Sequence, residues 1–382
     1  MTSKIKVAVV GLGKMGLSHF ALVNAHPDVE AVACDSSGLL TDVLSRNIPS
    51  KVYRDYAAML EQEPLDAVVI ATPSRHHAAM VRMALERELH VFCEKPFTLN
   101  WQDAEALADM AEQAGLVNQV GYHCRFVGAF RHMYELLAAG ALGRVSQVVA
   151  EAYGPVVLRS KRKTWRTQKE EGGGCLYDYA AHPINLLNWC FGLPIEVSGS
   201  HLNSVFSERI DDAVVSTLRF AGGETAMLSV NWSDDSHRKM STAISMIGTN
   251  GRINADRQEC QIYLRQEVPG VRDLKPGWTV KYTTDLTQEA WFYLRGEEYS
   301  HQVDAFIQSV MGAGGTPAAV NSFRTAAETD RTMAMIQQNA SSGAPERTAM
   351  PKRNPEPVSS QAPRRRGWFG RDRKSTRLNS SH

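Results

Sequence analysis

The chain has 382 residues, too many for one ordinary hydrophobic core and enough for two domains. Hydrophobic residues make up 43% and charged residues 22%, which excludes wholesale disorder, collagen and coiled coil. Basic and acidic residues nearly balance, 42 against 41, so the strong basic excess of a dedicated nucleic-acid binder is missing. The balance hides an asymmetry. Nine basic and two acidic residues lie beyond Pro351, while the rest of the chain carries 33 basic and 39 acidic residues.

The N-terminal apolar run is too short for a signal-peptide core and has no small-residue cleavage site after it. No apolar stretch approaches the roughly 18 residues a membrane helix needs, so no membrane span is expected. The cysteines at 34, 93, 124, 175, 190 and 260 have neither CxxC nor zinc-finger spacing. They are expected to be reduced core thiols in a cytoplasmic, metal-free protein.

In chain order, Lys6–Val10 reads as a buried strand and Met15–Asn24 as the helix after it. Val29–Cys34, Ala67–Ala71, His90–Cys93 and Val117–Val120 are further strands, with Val81–Glu86 in a helix between two of them. Asn100 caps a helix with Asp103 in its first turn, a stripe of Ala104, Leu107, Ala108 and Ala111, and Gly115 as its stop. Strands alternating with helices predict a mostly parallel, doubly wound α/β sheet. Beyond about residue 125 a helix over Ala129–Ala138 leads into β-rich segments at Val145–Tyr153, Ala213–Phe220, Glu224–Trp232 and Ser241–Ile247. Phe220–Glu224 reads as a hairpin turn, and two helices near Gln302–Met311 and Thr325–Gln337 close an α+β domain.

The first strand runs into Gly11, Gly13 and Gly16, a G-x-G-x-x-G loop. Such a loop turns tightly, lets backbone approach a pyrophosphate and packs helix on strand. The helix start offers N–H groups to the phosphates. Asp35 follows 19 residues after Gly16, where a carboxylate accepts from a ribose 2′-hydroxyl and repels a 2′-phosphate. NAD is therefore favoured over NADP. Lys14 either helps hold a phosphate or is a solvated loop lysine. Lys95, at the end of a strand, can donate to a substrate oxygen. Asp178 and His182 stand four apart, a spacing that on a helix shares one face and lets an acid orient an imidazole. Pro183 argues that the helix begins near His182, with Asp178 on the loop before it.

These motifs occur in one order with others: the glycine loop, Ala71-Thr72-Pro73 with His77, Glu94-Lys95-Pro96, and Gly121-Tyr122 with Arg125-Phe126. Trp165-Arg166 then precedes GGGCLYDYAAH. In that order the chain resembles the Gfo/Idh/MocA family of sugar and inositol oxidoreductases over about residues 4–340. The resemblance implies a Rossmann domain over 1–122. It also implies a substrate and oligomerisation domain over 123–340, with a large open, mainly antiparallel sheet. It implies hydride transfer between nicotinamide and a hydroxyl carbon of a sugar, sugar nucleotide or cyclitol. Lys95 and His182 then handle the proton, with His182 preferred as base and Asp178 supporting them. Gly11, Gly13, Lys14, Met15, Gly16, Asp35, Thr72, Pro73, His77 and Glu94 line the cofactor, though His77 equally reads as a packed structural residue. Tyr122, His123, Arg125, Trp165 and Arg166 face the substrate, with an interdomain ion pair as the alternative for Arg125. A homo-oligomer, dimer or tetramer, is implied through the C-terminal sheet. Departures from the family pattern are Glu88 in place of a common glycine, Ala180, and Asn185 in place of an acid.

Arg159 to Arg166 is a basic run that reads as an anion clamp or as a solvated loop. The competing class is a non-catalytic dinucleotide- or sugar-binding regulator of the same fold. Loss of Lys95 or His182 would mark it, and both are present. The stretch 341–371 is basic, rich in Ser, Pro and Arg, and expected to be disordered. The last eleven residues, Asp372–His382, read codon by codon as a common sequencing-library adapter and are expected to be read-through.

Overall fold

The computed structural model describes residues 4–159, 165–271, 274–312 and 320–342. The expected tail beyond 342 and the basic residues at 161–163 lie outside the described residues. Six strands form the first sheet: β1 (Ile5–Val10), β2 (Val29–Cys34), β3 (Val52–Tyr53), β4 (Ala67–Ile70), β5 (His90–Cys93) and β6 (Asn118–Val120). Their order is β3-β2-β1-β4-β5-β6, parallel throughout. Both faces are covered. Ala8, Val10, Val68 and Ile70 join one apolar core, while Val7, Val9, Ala67 and Val69 join another. That is why these strands read as continuous apolar runs. The strand order reverses between β1 and β4, where an open α/β sheet leaves a crevice at its carboxyl edge. The glycine loop after β1, Thr72-Pro73 after β4 and Lys95 after β5 therefore stand on one rim.

The second sheet has eight strands: β7 (Val145–Tyr153), β8 (Glu196–Asn203), β9 (Ala213–Arg219), β10 (Thr225–Asn231), β11 (Ala243–Gly248), β12 (Gly251–Ala255), β13 (Glu259–Leu264) and β14 (Gly277–Tyr282). The order is β14-β13-β12-β11-β7-β10-β9-β8, antiparallel except for β7 with β10. One face is buried under the helices Ala181–Phe191 and Phe323–Ser342, so Val214, Ser216 and Leu218 alternate inward along β9. The other face exposes Val215, Met227, Trp278, Val280 and Tyr282.

The helix Phe323–Ser342 also seals the edge of the parallel sheet. The Val120 amide donates to the Asn321 carbonyl and the Phe323 amide to Asn118 Oδ1. Asp330, on the same helix, accepts from the amide of Thr98 (2.8 Å) in the loop after Lys95. The helix Trp101–Gln113 starts as the sequence predicts, with Asn100 Oδ1 accepting from the Gln102 amide.

Candidate active site

Each loop glycine has its own reason. Gly11 has φ 85°, and a Cβ there would meet the Thr72 amide at 2.8 Å; at Gly16 a Cβ would meet the Gly11 carbonyl oxygen. Gly13 faces open space, a cradle where backbone can approach a pyrophosphate. It starts the helix Lys14–Ala25 with no side-chain cap, so first-turn N–H groups remain for an anion. Asp35 Oδ2 accepts from the Leu12 amide and Oδ1 from the Ser37 amide (2.7 Å), which fixes its carboxylate beside the loop. These residues fit a dinucleotide with a free ribose 2′-hydroxyl.

On the same rim Glu94 is buried. Its Oε1 is 2.7 Å from His19 Nε2, and its Oε2 accepts from the Lys95 amide. Burial opposes its ionisation, but the His19 hydrogen bond and the His19 and Lys95 charges hold its pKa below the usual value. A Cβ at Gly121 would sit 2.9 Å from that carboxylate, so Gly121 makes room for it. His77 is buried, with Nδ1 on the Pro96 carbonyl (2.9 Å) and Nε2 on the Thr72 carbonyl (2.9 Å). It ties the loop after β4 to the loop after β5. Burial beside these two carbonyls, to one of which a neutral ring can donate, favours the packed reading of His77 over a place on the cofactor.

Lys95 Nζ donates to Asp178 twice, to Oδ1 at 2.7 Å and to the main-chain carbonyl at 2.9 Å. Arg166 Nε donates to the other carboxylate oxygen at 2.7 Å. Burial resists the Asp178 charge, but the two cations hold its pKa down at about 2. Arg166 reaches it because Gly173 packs under the Arg166 carbonyl, where a Cβ would come within 2.4 Å. The Arg166 guanidinium also lies over the Trp165 ring. Asp178 sits in a π-helical turn, Leu176–Ala180, that continues into the helix Ala181–Phe191. It is therefore helical rather than on a loop. It still does not orient His182, because both its oxygens are taken by Lys95 and Arg166.

His182 is 3% exposed. Its Nδ1 is 3.8 Å from Cys124 Sγ, and its ring meets His123 edge-on at 4.9 Å. Burial, then the charges of Lys95 and Arg257, push its pKa well down, so the ring is neutral at pH 7 and can accept a proton. His123 stacks on Tyr299 at 4.7 Å and accepts at Nε2 from Arg257 Nη1 (3.2 Å), while Arg257 also pairs with Glu298.

Two expected substrate residues are buried among protein partners. Arg125 is 4% exposed; its guanidinium bonds the side chain and carbonyl of Asn185 and lies over Trp189. Asn185 is thereby turned to Arg125 and Thr329, away from His182. Tyr122 is wholly buried behind His182, its hydroxyl without a partner among the described residues. Arg257, Tyr299, Glu298 and Cys124 were not among the expected residues. Arg257 is 134 positions from the His123 it touches, and no local pattern marks such a pairing. All six cysteines are free thiols, five of them buried.

Two family models match the chain. Residues 5–122 match the oxidoreductase family with NAD-binding Rossmann fold, and residues 130–254 match the GFO/IDH/MocA C-terminal domain. An uncharacterized oxidoreductase of Synechocystis is 28% identical over 60% of this chain and 63% of its own length. Myo-inositol 2-dehydrogenase of Thermotoga maritima is 24% identical over 83% of this chain and 91% of its own. The structure of a levoglucosan dehydrogenase in complex with NADH superposes with a TM-score of 0.77 at 20% identity, over 89% of this chain and 98% of that one. With the glycine cradle, its paired aspartate and the parallel sheet that carries them, the two matches place this chain in the NAD-binding Gfo/Idh/MocA oxidoreductase family.

Proposed function

We propose that the protein oxidises, or in reverse forms, a secondary alcohol of a sugar, sugar nucleotide or cyclitol. The observation that carries this reading is the Lys95–Asp178–Arg166 ion triplet next to a neutral His182, on the rim where the glycine loop also opens. Residues 1–122 serve the dinucleotide and 123–340 the substrate. Gly11, Gly13, Gly16 and the helix start after them receive the pyrophosphate, and Asp35 receives the ribose. The nicotinamide, when bound, supplies the hydride acceptor. Asp178 holds the Lys95 ammonium in place. Lys95 donates to the reacting oxygen and stabilises the negative charge that grows there. His182 takes the hydroxyl proton as general base. Arg166, Trp165 and His123 border the substrate, with Arg257 beside His123. The related dehydrogenases support the sugar or cyclitol class, since one is named for myo-inositol and another for levoglucosan.

The exposed apolar face of the second sheet supports a homo-oligomer built through it: Trp278 is 61% exposed and Tyr282 53%. Free thiols fit a reducing cytoplasm. No helix among the described residues is long and apolar enough to cross a membrane.

The test is a panel of pyranoses, inositols and sugar nucleotides with NAD, read at the reduced-nicotinamide absorbance. Lys95→Ala is expected to lower turnover by about 10² or more, the scale of a lost electrostatic donor, with NAD affinity unchanged. Wild-type turnover in that variant would refute the assignment.

A further inference from the structure

We propose that His123, Cys124 and His182 form a site for one soft divalent cation, typified by Zn2+, that removes the base from the reaction. The site itself stands on geometry; only the inhibition rests on His182 being the base. Cys124 Sγ lies 3.9 Å from His123 Nε2 and 3.8 Å from His182 Nδ1, and the three donor atoms all fall within 4.8 Å of one another. Tetrahedral zinc, at roughly 2.3 Å from sulfur and 2.1 Å from nitrogen, spaces its donors about 3.5 Å apart. Sulfur must move in by a few tenths of an ångström, and a turn of one ring must bring the two nitrogens closer by about an ångström.

The nitrogen of His123 is already an acceptor. Arg257 can only donate, so the Nε2 it faces carries a lone pair and the ring proton sits on Nδ1. A cation would take that lone pair, and Arg257 keeps its other partner, Glu298. The donor set holds two imidazoles and one thiol with no carboxylate, which selects zinc-like ions over magnesium or calcium. Consecutive residues of the turn His123–Phe126 supply two donors and the helix Ala181–Phe191 the third, 58 positions from Cys124. The cysteine spacings that exclude zinc fingers are blind to such a set.

Binding is an exchange without redox change: the Cys124 S–H bond breaks, a sulfur–metal bond forms, and the proton leaves to solvent. A metal on Nδ1 of neutral His182 requires the ring proton on Nε2. That nitrogen then donates and no longer accepts, so the base is lost. The fourth metal position is left for water.

Co2+ is the probe, added to the full chain after chelator treatment, with absorption and equilibrium dialysis as readouts that need no substrate. The expected result is one bound cobalt with a thiolate-to-cobalt charge-transfer band and release of one proton on binding, the cobalt then being displaced by Zn2+ with no further proton released. Cys124→Ser is expected to abolish the band, and His123→Gln to weaken binding by at least about tenfold. Cobalt that fails to bind or binds without the band, a band that survives Cys124→Ser, or an unchanged affinity in His123→Gln overturns the site. A variant that does not fold leaves the decision to the other. If the band behaves as expected but Zn2+ leaves turnover untouched, the site stands and the role of His182 as base falls.

Discussion

Asp330→Asn should change how stability depends on pH, with little change in shape. Asp330 is buried on the helix Phe323–Ser342, where Oδ2 accepts from the Thr98 amide (2.8 Å) and lies 3.1 Å from its hydroxyl. Its Oδ1 has no partner among the described residues. Among the described residues no cation offsets the burial; the groups that bear on it are Thr98 and the Phe97 backbone, and burial lifts the carboxyl from 3.8 to about 8. The folded protein thus keeps a proton that the unfolded chain releases near pH 4. Between those values the folded state binds more protons, so stability falls as pH rises, by about 1.4 kcal/mol per unit. The contribution is complete below pH 4 and gone above pH 8, on the order of 5 kcal/mol in all. Asparagine cannot titrate and still offers an oxygen to the Thr98 amide. The variant should therefore gain on wild type by about 3 kcal/mol between pH 5 and pH 7. Urea unfolding of both proteins at pH 5, 6, 7 and 8 measures the difference. Parallel stability curves would mean that Asp330 is ionised when folded, and the reasoning would be wrong.

Two further substitutions test separate parts of the structure. Glu88 ends the turn after the helix His77–Leu85 with φ 58°, a left-handed conformation that costs a side-chain-bearing residue about 1 kcal/mol or more. Glu88→Gly should raise the urea midpoint by roughly that amount of stability, and an unchanged midpoint would count against strain there. Asp35→Ser removes the acceptor held by the Leu12 and Ser37 amides. NADH affinity should fall about tenfold, or 1.4 kcal/mol, while NADPH binding holds or improves. Nucleotide fluorescence titration reads both, and equal losses for the two nucleotides would remove Asp35 from the ribose.

The first sheet was legible because its strands are buried on both faces and each is bracketed by a glycine loop, a proline or a cap. β3 was not, because it is two residues long and pairs with β2 over two positions. β12 to β14 carry only alternating burial, and β14 exposes Trp278, Val280 and Tyr282 along an edge, so no apolar run marks them, although Asn250-Gly251 marks the turn into β12. Lys95 and Asp178 meet in an ion pair, and His182 packs instead against Cys124 and His123, not as the spacing suggested. A spacing of four between Asp178 and His182 implies a shared face, yet Asp178 is captured by a lysine 83 positions away and an arginine 12 away. Short-range spacing says which side chains can be neighbours; it does not say which stronger partner will claim them. A charged carboxylate buried beside two cations binds them in preference to a neutral imidazole.

That choice of partners divides the work of the site. With its pKa near 2, Asp178 stays ionised throughout the range in which an enzyme works, so the Lys95 ammonium always has its counter-charge. Lys95 and Arg257 lie close enough to push His182 toward its neutral form, and the same positive field favours negative charge on a reacting oxygen. The two effects pull in opposite directions for the base, since an imidazole made less basic is a weaker acceptor. A site in which Asp178 paired with His182 would have a stronger base and an unanchored lysine. This chain has the reverse: a fixed cation and a weak base. In the reaction we propose, the site would therefore contribute more by stabilising charge on the oxygen than by drawing the proton away.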